Sequence, residues 1–329
     1  MLNRILLTVF LLALVIFGCT NNTTTTAVSS DVTVVIEEVH TGPDLSTIPE
    51  GPEGDMIRYG RELVMNTAKL IGPDGSEGHY LGNKMNCTNC HLDGGLRPYG
   101  YNYFSTYGRY PQYRSRENAV LTIEQRVNNC VERPHNGSPI PLGSKEMVAF
   151  VSYIQWASQG VPIGEKVKGS ETYALTFPAR AADPVKGEKL YTQHCARCHG
   201  ENGEGIWLSD SSTYEYPPLW GEYGYQPGSS MFRLIKAAQF IKANMPFDQA
   251  SWEKPILTDQ EAFDVAAYVN DPKHPRPSKK GADYNDISTK YVDYPFGPYD
   301  DPFSEKQHKY GPFQPIIDYR KEHGLYLSY

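Results

Sequence analysis

The motif C-x-x-C-H occurs twice in this chain, and it constrains the fold more than any other feature. The two copies supply Cys87, Cys90, His91, Cys195, Cys198 and His199. In this motif two thiols on one side of a helical turn bond to the vinyl groups of haem, and the histidine faces the iron. A zinc site would gather both cysteine pairs around one ion, and a thiol redox pair would need a βαβ unit around it. Neither alternative explains the two histidines, so the motifs predict two covalently attached haem c groups.

The segments around the two motifs also repeat. Helix-like segments with a glycine near the start precede the motifs at 60–70 and 186–194, and amphipathic segments follow at 144–158 and 258–270. Ser144 is an expected N-cap, and Thr258 forms an expected capping box with Glu261. A first helix that crosses a last helix over a haem is the arrangement of small c-type cytochromes. The sequence therefore predicts that arrangement twice.

The predicted fold is mainly α, with two tandem class I cytochrome c-like domains, each with one covalently bound haem, and an extended C-terminal tail. Glycine (29), proline (25) and tyrosine (24) are abundant, which favours long ordered loops. No alternating run of residues predicts an extensive sheet. We place the first domain at 51–165, a linker at 166–185, the second domain at 186–271 and the tail at 272–329. The tail lacks helical periodicity and is expected to wrap over the surface.

Residues 1–18 are predicted to be an export signal, because an apolar run follows Arg4 and ends directly before Cys19. The ending resembles a bacterial lipoprotein cleavage site, so lipidation of Cys19 is the favoured interpretation, and ordinary cleavage beside an incidental cysteine is the alternative. Residues 19–50 are predicted to be a flexible tether. We expect an exported, periplasmic protein that a lipid anchors to a bacterial membrane. The formal net charge of −7 argues against nucleic acid as a partner.

Each haem needs a sixth ligand or leaves its iron open. In the second domain Met245 lies in a loop between the motif and the final helix, where such domains usually supply a thioether. Met231 is the rival, but its surroundings predict a helix, where a methionine is more often a core residue. The matching region of the first domain holds Cys130, with His135 and Met147 as the other candidates. We expect His135 at the surface, in a turn, and Met147 in the first turn of the final helix.

The sequence around Cys130 predicts a short helix. Thr122 and Gln125 form a capping box, and the helix should end before Pro134. Arg126 precedes Cys130 by four residues, so the two side chains share one face. The alternative is that Cys130 is a buried free thiol.

Arginine is concentrated around this helix. The segment 97–133 contains no lysine and has a positive balance within a negatively charged protein; its arginines are Arg97, Arg109, Arg114, Arg116, Arg126 and Arg133. Guanidinium groups bind small oxyanions through paired hydrogen bonds and lower the pKa of a nearby thiol. They also pair with haem propionates. Composition alone does not distinguish a site for a small anion from arginines that bind the haem propionates.

Five stretches together resemble one family, the dihaem thiosulfate dehydrogenases. They are CTNCH, SRENA, RVNNCVER, CARCHG and a downstream NMP, and the resemblance spans about residues 55 to 315. It implies that the first haem is the active site, with His91 and Cys130 as axial ligands. It also implies that the second haem carries electrons and is held by His199 and Met245.

The resemblance further implies an activity, the oxidative coupling of two thiosulfate ions to tetrathionate, with Arg116 and Arg126 as substrate-binding residues. Electrons would pass through the second haem to a soluble c-type cytochrome or similar acceptor. One continuous helix would separate Arg116 from Cys130 by about 21 Å, so this site requires the chain to fold back near Thr122. The alternatives are tetrathionate reduction, a plain dihaem electron carrier, and a cytochrome similar to the A subunit of the sulfur-oxidation complex.

Overall fold

The computed structural model describes residues 38–278 and 283–329, so the predicted export signal, Cys19 and much of the predicted tether lie outside the described residues. The helices are α1 (Pro52–Met65), α2 (Thr67–Ile71), α3 (Leu92–Gly95), α4 (Ile123–Glu132), α5 (Lys145–Ala157), α6 (Pro184–His194), α7 (Ala196–His199), α8 (Leu234–Asn244), α9 (Asp259–Val269), α10 (Glu305–Tyr310) and α11 (Gln314–Glu322). Two short antiparallel sheets pair β1 (Gln112–Arg114) with β2 (Ala119–Leu121), and β3 (Ile206–Trp207) with β4 (Tyr214–Tyr216). The fold is mainly α, as predicted.

In the first half of the structure, α1 crosses α5, and the contact is closest at Gly60. A Cβ added there would lie 2.0 Å from the carbonyl oxygen of Ala149 and 2.7 Å from Cβ of Tyr153. Only a residue without a side chain permits this approach. Ser144 caps α5, as predicted, by accepting a hydrogen bond from the amide of Met147.

The second half repeats this crossing with α6 and α9. A Cβ added at Gly187 would lie 1.9 Å from the carbonyl oxygen of Asp264 and 2.9 Å from Cβ of Tyr268. The predicted capping box of Thr258 and Glu261 begins α9. Glycine on the first helix and tyrosine on the last therefore occupy equivalent places in the two halves.

The C-terminal segment contains helices, which the sequence did not predict. The helices α10 and α11 hold only 6 and 9 residues, too few turns for a clear helical period. Phe313, Ile316 and Ile317 belong to the hydrophobic core of the second half, so this segment completes that core.

The two halves contact each other directly within one compact unit, Glu38–Tyr329. The side chain of Asn86 donates to Oγ1 of Thr213 (3.1 Å), and the side chain of Asn244 donates to the carbonyl oxygen of Tyr99 (3.1 Å). Within the described residues, no helix combines the length and the apolar character that a membrane crossing requires.

Candidate functional site

The first C-x-x-C-H motif lines a cavity of about 250 Å³. Cys87, Cys90 and His91 form part of its wall. Nδ1 of His91 lies 2.5 Å from the carbonyl oxygen of Tyr101, and the imidazole stacks on Tyr103. A backbone carbonyl on one ring nitrogen is the usual way to orient a metal-binding histidine through its other nitrogen. Two thiols and an oriented imidazole on one wall fit a covalently attached haem.

Cys130 and Arg126 line the same cavity. Both belong to α4, which begins at the predicted capping box of Thr122 and Gln125. Nη1 of Arg126 donates to Sγ of Cys130 over 3.1 Å. Burial alone raises the pKa of the Cys130 thiol, but the Arg126 guanidinium and the His91 ring outweigh burial and lower this pKa to about 6. This lowered pKa favours the thiolate form of Cys130 at neutral pH.

The predicted substrate arginines occupy different positions. Arg126 lines the cavity, whereas Arg116 donates to the carbonyl oxygen of Gly228 (3.1 Å) and to Oγ of Ser230 (3.4 Å) in the second half. The chain does fold back as the site requires, because β1, a turn containing Arg116, and β2 precede α4. The charge of Arg126 acts on the pKa of Arg116, so the two guanidinium groups are within electrostatic reach of each other.

Two arginines that the resemblance did not select also line the first cavity, Arg109 and Arg114. Neither forms an ion pair with a carboxylate of the described residues, whereas Arg97 pairs with Asp93, and Arg133 pairs with Glu117 and Asp283. Sequence reasoning placed all six arginines in one group. The β1–β2 hairpin separates these arginines from one another. Each of its strands has three residues, which is too short for an alternating strand pattern to be recognised in the sequence.

His135, one of the competing candidates in the first half, is buried rather than exposed. It lines the first cavity, and its Nδ1 lies 3.2 Å from Oδ1 of Asn83. The prediction that His135 is at the surface was therefore wrong: Gly82 donates to its carbonyl oxygen (2.8 Å) and draws the turn inward. Met147 is 1 % exposed and packs in the hydrophobic core beneath α5.

The second motif lines a cavity of about 340 Å³. Cys195, Cys198 and His199 form part of its wall, and Nδ1 of His199 lies 2.8 Å from the carbonyl oxygen of Pro217. This arrangement repeats that of the first cavity and also fits a covalently attached haem.

Both candidate methionines line the second cavity. Met245 directly follows α8 and packs on the main core of the second half, which also contacts Cys195. Met231 lies in a single turn of 3-10 helix directly before α8, the helix that the sequence predicts around it, and packs against the separate cluster that contains Phe232.

One stretch of chain forms a wall of both cavities. Met85, Asn89 and Cys90 line the first and the second cavity alike. Tyr101, in the wall of the first cavity, stacks on Phe240 of the second, with ring centroids 5.4 Å apart. The two cavities are therefore neighbours, separated by about one layer of side chains.

Comparisons with known proteins agree with this architecture. Residues 81–163 match the family model "SoxA/TsdA, cytochrome c domain", and residues 184–272 match "Cytochrome c". The chain is 37% identical to a thiosulfate dehydrogenase of Thiomonas intermedia, over 72% of this chain and 71% of the relative. It is also 37% identical to a thiosulfate dehydrogenase of Allochromatium vinosum, over 72% of this chain and 84% of the relative.

The chain belongs to the thiosulfate dehydrogenase family. A solved structure, the thiosulfate dehydrogenase TsdBA from Marichromatium purpuratum in its as-isolated form, superimposes with a TM-score of 0.64 at 35% identity. The match covers 70% of this chain and 49% of that longer chain. The predictions of the family and of two cytochrome c domains in tandem are thereby confirmed for this thiosulfate dehydrogenase homologue.

Proposed function

We propose that this chain oxidises thiosulfate to tetrathionate at the first cavity and passes the electrons through the second cavity to an external cytochrome. The reaction is 2 S₂O₃²⁻ → S₄O₆²⁻ + 2 e⁻, in which one S–S bond forms and no proton is released. The observation that carries the proposal is the thiolate–guanidinium pair of Cys130 and Arg126 on the wall that also holds His91. Proteins of this family named thiosulfate dehydrogenase support the choice of substrate.

The proposed roles in the first cavity follow from charge. Two thiosulfate dianions repel each other, so their approach requires positive groups. Arg126, Arg109 and Arg114 supply these groups from the cavity wall, and forked guanidinium hydrogen bonds match the oxygens of a sulfonate end. Arg116 adds positive potential from its position between the two halves.

His91 and Cys130 are the residues that would hold the iron of a haem in the first cavity. Arg126 donates to the sulfur of Cys130 and favours its thiolate, which is a soft ligand. A haem bound in each cavity would supply one-electron oxidation. His135, in the same wall, is the competing ligand, and Asn83 beside its Nδ1 orients it as Tyr101 orients His91. We prefer Cys130 because Arg126 donates to its sulfur and favours the anion.

The proposed ligands in the second cavity are His199 and Met245, because Met245 packs on the same core as the attachment cysteine Cys195. A histidine–methionine pair raises the reduction potential of a haem, which suits the site from which electrons leave. The shared wall at Met85, Asn89 and Cys90 allows transfer between the sites without a long path. A plain electron carrier would have no need of the arginine-lined first cavity, so oxidation of a substrate accounts for more of the structure.

Localisation forms part of the proposal. The sequence of residues 1–19 supports export to the periplasm and a lipid on Cys19. Mass spectrometry of the N-terminus of the native protein tests this directly: a diacylglycerol-modified Cys19 is expected, and an unmodified N-terminus contradicts the anchor.

The central experiment mixes the oxidised holoprotein with thiosulfate and follows the haem absorption bands. Thiosulfate should reduce the haems, and sulfite, as a control, should not. Cys130→Ala should abolish turnover while both haems stay attached, because the attachment cysteines are unchanged. Glu124→Ala, in the first turn of the same helix, should keep the activity. Undiminished turnover in Cys130→Ala would contradict the proposed role of the thiolate.

A further inference from the structure

The chain between Cys198 and Phe232 carries negative charge alone. It contains no lysine or arginine, and its acidic residues are Glu201, Glu204, Asp210, Glu215 and Glu222. All five are exposed, and none forms an ion pair within the described part of the chain. Two other exposed carboxylates near the second cavity are paired: Asp93 pairs with Arg97, and Asp248 pairs with Arg197.

The same segment exposes large apolar side chains. Ile206, Trp207, Leu208 and Tyr223 are 36%, 38%, 39% and 39% exposed. The Trp207 ring stacks on Tyr214 and meets the edge of Tyr223. Nζ of Lys84 lies 5.8 Å from the Trp207 ring, and its charge is paired with Asp74. Exposed apolar groups rimmed by charge are typical of protein–protein interaction sites.

This surface adjoins the second cavity. Glu215 and Tyr216 line the second cavity, together with Pro217, Pro218 and Leu219. Ile206 pairs with Tyr216 across the β3–β4 sheet. The exposed side chains of β3 therefore lie one strand away from the cavity wall. A protein bound here would come close to the site from which the proposed function releases electrons.

We propose that the acidic docking face, which comprises Glu201, Glu204, Ile206, Trp207, Leu208, Asp210, Glu215, Glu222 and Tyr223, binds a positively charged one-electron carrier protein. The proposal rests on the proposed exit of electrons from the second site. Exposed carboxylates without an ion pair attract a basic partner and speed its approach, and the apolar side chains exclude water once the partner is bound. Each encounter transfers one electron to the oxidised carrier, with no proton, so two encounters complete one turnover.

The test uses full-length holoprotein reduced with dithionite, so that electron exit is measured without thiosulfate. Stopped-flow mixing with an oxidised, basic monohaem cytochrome c gives the second-order rate constant, and calorimetry with both proteins oxidised gives Kd. For the unaltered protein we expect both the rate constant and the affinity to fall as salt increases. In Glu201→Lys/Glu222→Lys the rate constant should fall about tenfold or more at low ionic strength. At high salt the rate constants of this variant and of the unaltered protein should become similar. Leu208→Ser should weaken binding at every salt concentration.

The matched control is Glu165→Lys/Glu322→Lys, which changes the net charge equally at two exposed positions outside the docking face. It should retain most of the rate. Equal losses of rate in the two double variants would overturn the proposal, because the rate would then depend only on net charge. No loss in either variant would also overturn it, because the rate would then not depend on these carboxylates. In sedimentation of the unaltered protein alone, we expect no self-association that depends on Glu201 and Glu222. Self-association that Glu201→Lys/Glu222→Lys abolishes would assign the face to a second copy of the chain. Reduction of the haems by thiosulfate is measured separately, so failure of the docking face leaves the proposed function standing.

Discussion

Three cysteines share the first cavity but differ in acidity. Burial raises the pKa of Cys87 and of Cys90 to about 12, whereas the pKa of Cys130 is lowered to about 6. The difference comes from two neighbours of Cys130. Arg126 is placed one helical turn before Cys130 and donates to its sulfur, and the His91 ring acts in the same direction. The first two thiols are suited to covalent attachment, and the third is suited to act as an anion. A guanidinium and an imidazole therefore separate two kinds of cysteine chemistry in one cavity.

Replacement of Arg126 tests this dependence. A hydrogen bond to a charged group contributes about 1.5–3 kcal/mol, so Arg126→Ala should lower kcat/KM for thiosulfate by roughly 10- to 150-fold. Arg126→Lys keeps the charge but loses the fork, and should recover only part of the loss. Steady-state kinetics with a cytochrome acceptor measures the effect, and the haem content of each variant should stay at the level of the unaltered protein.

The matched control for Arg126 is Arg58→Ala. Arg58 is an arginine on α1 whose side chain is 40% exposed and whose ion pairs with Glu50 and Asp55 lie at the surface. Such pairs contribute little to stability, so this variant should keep its kinetics. If Arg58→Ala and Arg126→Ala lost activity equally, the loss would reflect general charge, and the specific contact to Cys130 would be irrelevant.

The sequence revealed the local parts of the site and missed the parts that depend on distant contacts. The cap at Thr122 is a short-range pattern, and the structure has it where it was predicted. The C-x-x-C-H motifs are also short-range patterns, and each of them lines a cavity. The burial of His135 was missed because it depends on hydrogen bonds to Gly82 and Asn83, more than fifty residues away. The orientation of Arg116 was missed because its partners, Gly228 and Ser230, lie in the other half.

At the scale of elements, each half depends on one helix crossing at a glycine. The predictions of α5 and α9 succeeded because their N-caps and apolar faces are local signals. The predicted first helix begins at residue 60, whereas α1 begins at Pro52. Pro52 and the acidic residues of the first turn favour a helix start there, and they precede the segment that resembles 186–194. The crossing itself is visible in sequence only as a repeated glycine and tyrosine.

Alanine at Gly60 or Gly187 tests the two crossings. Helix propensity alone predicts that Gly→Ala stabilises a helix by about 1 kcal/mol. Packing predicts the opposite sign, because the new Cβ would lie 2.0 Å or 1.9 Å from a carbonyl oxygen of the facing helix, and overpacking costs about 1–3 kcal/mol or more. We expect packing to dominate in both variants. Urea unfolding followed by circular dichroism measures the change.

Gly297→Ala is the control for this pair, because its added Cβ would have no neighbour closer than 3.6 Å. Its free energy of unfolding should change little. Stabilisation of Gly60→Ala or Gly187→Ala relative to the unaltered protein would mean that the helices separate easily and that the glycines are not required for the crossing.

At the scale of the whole molecule, a buried charge network fixes the C-terminal segment onto the second half. Arg320 is 0% exposed and donates to Asp301 (2.8 Å), to Asp300 (3.0 Å) and to the carbonyl oxygen of Lys290 (2.7 Å). His308, also buried, contacts Asp301 through Nε2 and the carbonyl oxygen of Val292 through Nδ1. This network could not be predicted from the sequence, because its members are charged residues that a surface tail would also contain.

Removal of Arg320 leaves two buried carboxylates without their main counter-charge. Breaking a buried ion pair by removing one partner costs about 3–5 kcal/mol, so Arg320→Met should lower the free energy of unfolding by that amount at neutral pH. Arg58→Met, at the exposed site on α1, should change it by less than about 1 kcal/mol. Urea unfolding of the holoprotein measures both, and addition of Asp301→Asn to Arg320→Met should restore part of the loss.

Acid titration tests the same network, because Asp301 is a titratable member of it. Burial raises the pKa of this carboxyl, but its hydrogen bonds to His308 and Arg320 and their charges outweigh burial and hold the pKa below the ordinary value. A carboxyl with a lowered pKa stabilises the folded state above its unfolded pKa of about 3.9, and this stabilisation is lost as the pH falls through the folded value.

Arg320→Met removes one cause of the lowered pKa. Its second half should therefore unfold at a higher pH than that of the unaltered protein during acid titration, followed by circular dichroism. Coincident acid transitions for the two proteins would show that Arg320 does not set the charge state of Asp301, and that the C-terminal segment is retained by its apolar contacts through Phe313, Ile316 and Ile317 alone.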